Sequence, residues 1–135
     1  MTLQYSTTVR NAKLDAIEST IGASAILQIR SGAAPANCAA ADSGTLLASM
    51  ALPSDWMAAA SGGAKAKSGT WQDTSADAAG TAGHFRIKDS AGTTCHMQGS
   101  ITATGGGGDM TLDNTSIASA QAVTITGFTI TDGNP

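Results

Sequence analysis

Apolar and polar residues alternate along much of this chain, most clearly from His84 to Ile101. Phe85 and Ile87 alternate with Arg86 and Lys88, and after a turn Cys95, Met97 and Ile101 alternate with His96, Gln98 and Ser100. A period of two on both arms predicts a β-hairpin with one apolar and one polar face. The tightest register that sets apolar residues opposite one another pairs Asp89 with Thr93 around Ser90-Ala91-Gly92. It faces Phe85 with Met97 and Ile87 with Cys95, and asks Gly92 for the left-handed conformation that closes such a loop.

The same pattern places the other elements. Residues 8–21 read as a short helix capped by Thr7 or Thr8, with Leu14, Ile17 and Ile21 on one stripe, Glu18 on the exposed face and Gly22 at the stop. The stripe is narrow, so the helix needs a docking surface on the sheet or on another subunit. ASAILQIRSG predicts a strand with Ala25, Leu27 and Ile29 on one face, and residues 31–44 a long loop. TLLASMALP predicts a strand with Leu46, Ala48, Met50 and Leu52 inward, stopped by Pro53. SDWMAAASGG is compatible with one or two helical turns capped by Ser54 or with a loop pinned by Trp56. AKAKSGTWQD reads as a strand with its lysines outward and Trp71 as anchor, and DTSADAAGTAG as a flexible connection. Gly105–Gly108 form a hairpin tip between ITAT and DMTLDN. In QAVTITGFTITDG, Val123 and Ile125 differ in parity from Phe128 and Ile130, which asks for a bulge at Gly127. The expected fold is an all-β, single-domain β-sandwich or jelly roll of seven or eight antiparallel strands, with residues 1–22 as N-terminal arm and short helix and residues 23–135 as the β-sandwich domain.

Composition narrows the function classes. Ala, Gly, Ser and Thr make up more than half of the 135 residues, charged residues 13% and aromatics 4%. An apolar content of 41% with regular alternation argues for a packed domain over disorder. A net charge of −3, with basic residues scattered, excludes an electrostatic nucleic-acid binder. No apolar run is long enough for a membrane span, and MTLQYSTTVRN has no secretory apolar region, so folding in a cytoplasm is expected. Cys38 and Cys95 match no zinc or redox spacing. In a reducing compartment they are expected as free thiols, Cys95 in the core, with a disulfide the lesser alternative.

No constellation for catalysis emerges. There is no nucleophile elbow and no phosphate loop; Gly105–Gly108 lack the strand, helix and Lys-Ser/Thr that a phosphate cradle needs. The aspartates sit in turn-like contexts that suit capping. His84 and His96, placed opposite Gln98 and Arg86, become diagonal neighbours on the polar face, about 7–8 Å apart. With no third ligand and Arg86 between them, they read as surface or subunit-contact residues. Trp56, Trp71 and Tyr5 read as core or interface anchors.

The segments WMAAASGGAKAKSGTWQ, GHFRIKDSAGTTCHMQGSITATGGGGDMTLDN and SIASAQAVTITGFTITDGNP resemble the small Ala/Gly/Thr-rich virion structural proteins of tailed bacteriophages, over most of the chain from about Ala25. Within that group the chain looks most like a capsid cement or decoration protein. The resemblance implies a non-enzymatic β-sandwich or jelly roll that stabilises the shell by multivalent contacts with the major capsid protein. It implies a homo-oligomer located in the virion after assembly in the host cytoplasm, with no cofactor, nucleic acid or membrane. No catalytic, cofactor-binding or metal residue carries over. Two alternatives use similar chemistry: a phage tail component (tube, tip or fibre-associated) and a host-glycan-binding module, which needs Trp56 or Trp71 exposed.

Overall fold

The computed structural model describes residues 2–134. The chain is mostly β, with one short helix at its front. Helix α1 (Thr7–Ile21) is capped by Ser6, whose hydroxyl accepts the Val9 amide at 3.3 Å. It ends at Gly22, whose amide reaches the Glu18 carbonyl at 2.9 Å. Ten strands follow: β1 (Ile26–Ser31), β2 (Leu46–Ala51), β3 (Ala64–Ala66), β4 (Trp71–Asp73), β5 (Gly80–Lys88), β6 (Cys95–Ala103), β7 (Met110–Leu112), β8 (Ser116–Ile117), β9 (Val123–Ile125) and β10 (Thr129–Thr131). The main sheet runs β2-β1-β5-β6-β7, with β8 paired to the start of β5; β3 pairs with β10 and β4 with β9 in two small sheets.

This differs from the expected set of seven or eight antiparallel strands, because β7 runs parallel to β6. Residues 104–109 therefore do not form a hairpin tip. They double back over the end of β6, where the Gly108 amide meets Thr102 Oγ1 at 3.0 Å and the Asp109 carboxylate accepts both the amide and the hydroxyl of Ser100 at 2.9 Å. The parity switch after Ile125 is likewise no bulge: the chain leaves one small sheet and joins the other.

The predicted hairpin is present in a shifted register. Phe85 pairs with Gly99 and Ile87 with Met97, then the ladder slips so that Lys88 pairs with Cys95. The Asp89 carboxylate accepts the amides of Thr93 and Thr94 at 2.9 and 3.3 Å, which lengthens the turn by one residue. Gly92 takes φ 72° as expected. His96 is the extra residue of the bulge. Cys95 consequently shares a face with Lys88, while Met97 shares one with Ile87. A second slip, between Ile29 and Arg30, leaves Leu47 buried where Leu46 was expected.

The core lies on one side of the main sheet. Leu27, Ile29, Ala48, Met50, Phe85 and Ile87 pack against Trp56, Trp71, Val123, Ile125 and Phe128. The Trp71 ring stands 6.0 Å from Trp56 and 5.8 Å from Phe128, and Phe128 meets Phe85 edge-on at 5.6 Å. Residues 57–63 form no helix but an irregular run held by α1. Met57, Ala60 and Gly63 donate their amides to Glu18, Asp15 and Asn11, each at 2.9–3.0 Å. Glu18 is thus turned inward, contrary to the exposed position expected of it. Lys65, expected outward, is buried and bridges Asp15 and Glu18 at 2.8 and 3.1 Å. These helix carboxylates supply acceptors that an irregular segment cannot find within itself. Leu14 and Ile21 complete the docking.

Candidate functional site

The second side of the main sheet carries the polar set: Gln28 and Arg30 from β1, His84, Arg86 and Lys88 from β5, Cys95 and Gln98 from β6. In-register pairing aligns Gln28, Arg86 and Gln98 in one row and Arg30 with His84 in the next. Alternation puts Arg86 and Lys88 on the polar face of the hairpin, the face that ordinarily meets water. Instead His84, Arg86 and Lys88 are buried, Arg86 with only 1% of its surface accessible. The loop of residues 32–45, here called the strap, lies across them.

The strap comes down directly onto β5 at Gly83. A Cβ there would stand 2.2 Å from the Gly32 carbonyl oxygen, so only glycine permits this approach. Next to it, His84 Nδ1 donates to the Gly32 carbonyl at 2.9 Å, and Gln98 Nε2 donates to the Pro35 carbonyl at 2.7 Å. His84 Nε2 is buried with no hydrogen-bond partner.

Arg86 organises the centre. Its Nη1 donates to Asp42 Oδ1 at 2.6 Å, its Nη2 to the carbonyls of Cys38 and Ala40 at 2.8 and 3.1 Å, and its Nε to Cys95 Sγ at 3.2 Å. The rigid fork of a guanidinium suits such convergent acceptors. Asp42 is the only carboxylate in the cluster and also receives Lys88 Nζ at 2.6 Å and Arg30 Nη2 at 3.0 Å. Burial alone would raise its pKa. The hydrogen bond from Lys88 and the charges of Arg30, Lys88 and Arg86 outweigh that and hold it below the ordinary aspartate value.

Beside this pair the two thiols meet, with Cys38 Sγ and Cys95 Sγ 3.0 Å apart. Cys95 is half-buried on the polar side, not in the apolar core, because of the bulge at His96. Burial first, and then the neighbouring thiol, push the Cys38 pKa up to about 11. A shallow pocket of about 390 Å³ opens here, lined by Cys38, Asp42, Arg86, Thr93, Thr94 and Cys95 among others.

The remaining residues singled out from the sequence do not converge. His84 lies under the strap, while His96 lies across the sheet beside Ile17 and Ile21 of α1. Asp89 caps its own turn. Among the described residues no three of His, Cys, Asp and Glu gather as a metal site. Trp56 and Trp71 are fully buried, donating their ring N–H groups to the carbonyls of Gly22 and Ser68 at 3.0 and 3.1 Å, so neither offers a face to a sugar. No helix among the described residues is long and apolar enough to cross a membrane.

One signal for the strapped cluster was available in the sequence. A structureless run as long as residues 31–44 is uncommon in a compact domain unless it covers or binds something. Comparison with protein-family models, with curated proteins and with solved structures finds no match to this chain.

Proposed function

We propose that this protein is a non-enzymatic structural component of a tailed-phage particle, a cement or decoration protein that binds the major capsid protein in many copies. The observation that carries this reading is the N-terminal segment. Leu3, Tyr5 and Val9 are the large apolar side chains left exposed among the described residues, and Leu3 keeps 73% of its surface accessible. Exposed apolar side chains gathered on one short segment suit a contact with another protein. The segment is aimed but not covered: the Asn134 side chain bonds both the amide and the carbonyl of Tyr5 at 2.9 Å, and Lys13 Nζ sits 4.5 Å from the centre of the Tyr5 ring.

Residues 11–22, by contrast, are bound into the body through Asn11, Asp15, Glu18 and Gly22, so the partner-binding part of the N-terminus is the stretch from Leu3 to Val9. The main sheet and the two small sheets then count as the leaves of a distorted sandwich. A shell repeats each weak contact many times, and repetition converts modest single-site affinity into stable attachment.

The test uses purified particles of the phage or prophage whose genome carries the sequence. The wild-type protein is expected to co-sediment with filled heads, with its density over the capsomers in a particle reconstruction. A variant carrying Leu3→Ser, Tyr5→Ser and Val9→Ser is expected to lose binding at least about tenfold while each change moves stability by no more than about 0.5 kcal/mol. Density on the tail would replace the cement reading with a tail component. Absence from the particle would overturn both.

A further inference from the structure

We propose that Cys38 and Cys95 form an oxidisable pair whose disulfide locks the 32–45 strap onto the main sheet. The proposal does not depend on the particle reading. The two sulfur atoms are 3.0 Å apart, and about 1 Å of approach reaches the disulfide bond length of about 2.05 Å. Cys38 belongs to the strap, outside the strand ladders, and its backbone carbonyl is tied to Arg86, at 2.8 Å, which leaves the approach to its side chain. Cys95 is fixed in the sheet beside the bulge at His96. Both thiols line the same pocket of about 390 Å³, which gives a small oxidant access.

The chemistry is thiol–disulfide exchange with a low-molecular-weight disulfide such as oxidised glutathione. One cysteine loses its proton and its sulfur attacks the glutathione disulfide, forming a mixed disulfide and releasing one glutathione thiol. The second cysteine then loses its proton and attacks the protein sulfur of the mixed disulfide. The Cys38–Cys95 bond forms and the second glutathione leaves. Two protein thiols are oxidised and one glutathione disulfide is reduced to two thiols. With the Cys38 thiol pushed up to about 11, little thiolate forms near neutral pH, and the exchange accelerates as pH rises toward that value.

The link joins residues 57 apart in sequence and closes a long loop in the unfolded chain. Loops of this size raise stability when the native geometry accepts the bond, here by roughly 10 °C in Tm. Arg86 keeps its bonds to Asp42 and to the strap carbonyls in both states, so the strap stays seated and becomes covalently held.

Full-length protein is incubated with oxidised glutathione and then analysed by intact mass, by peptide mapping and by thermal melting. The expected result is a loss of two hydrogens in the monomer, a Cys38–Cys95 linked peptide, a higher Tm, and reversal of all three by dithiothreitol. Cys38→Ser and Cys95→Ser are each expected to stop at a single glutathione adduct. Two glutathione adducts on the wild type, intermolecular dimers alone, or an intramolecular link with a lowered Tm would overturn the proposal. The wild-type measurement stands alone should either variant fold poorly.

Discussion

The two faces of the main sheet are closed by different physics. On one side Leu27, Ile29, Phe85 and Ile87 meet Trp56, Trp71 and Phe128, and closure comes from apolar area removed from water. On the other side Arg86, Lys88 and His84 are equally buried, yet what covers them is a loop with few large side chains, held by one carboxylate and a row of carbonyl oxygens. The apolar face depends on volume and tolerates a change of chemistry at constant shape. The polar face depends on charge and hydrogen-bond count, so single atoms matter there, and proton and electron exchange can reach it. Both thiols and Asp42, the carboxylate shared by Arg30, Arg86 and Lys88, belong to this second face.

The difference can be broken most severely from the apolar side. Trp71→Ala removes a ring that touches both Trp56 and Phe128 and is wholly inaccessible to water. It is expected to cost about 4 kcal/mol in urea unfolding, at the upper end for core truncations. Both faces should then melt together, because the small sheets that Trp71 anchors support β1 and β5.

Arg86 probes the other side. Arg86→Ala strands the carbonyls of Cys38 and Ala40 and leaves Asp42 to Arg30 and Lys88, for an expected loss of about 3 kcal/mol. Arg86→Met, which refills the space without charge, should recover part of that loss. Had the polar face been held by packing alone, the methionine variant would match the wild type. Amide exchange distinguishes the outcomes further, since residues 33–42 should open in both variants while Leu27 and Ile87 remain protected.

How much of this was legible in the sequence follows the same division. Helix α1, strand β1, the left-handed Gly92 and the anchoring role of Trp71 all follow from local rules, because alternation and cap residues report on a segment's own geometry. The register of β5 on β6 escaped because Asp89 captures two amides and His96 bulges, and alternation carries no mark of an inserted residue. The parallel strand β7 escaped because a short return between parallel neighbours is rare. The burial of Arg86, Lys88 and Lys65 could not be read from alternation at all. A polar face looks the same whether water or a distant segment covers it, and the covering segments, residues 32–45 and helix α1, lie far away in the chain. The facts that pointed there were non-local: a long loop with a single carboxylate, Asp42, and three cations on adjacent strands in need of one.

The smallest expected effect belongs to the carboxylate that holds the strap, which titrates in acid while the ring of Trp71 carries no titrating group. The Asp42 pKa is lower in the folded protein than the ordinary carboxylate value, so the unfolded chain binds a proton more readily than the folded one. Its contribution is therefore complete above the unfolded pKa of about 4, and it falls away as pH drops through the lower folded value. Asp109, held low by the amide and hydroxyl of Ser100, acts in the same direction. Substitution isolates the share of Asp42: Asp42→Asn should be about 2 kcal/mol less stable than wild type at pH 7, with the gap closing as pH falls from about 4 toward 2. The Trp71→Ala deficit should stay constant over the same range, since nothing it touches changes charge there. A gap between wild type and Asp42→Asn that persists unchanged at pH 2 would mean that the carboxylate holds the strap by shape and hydrogen-bond count, with its charge contributing nothing.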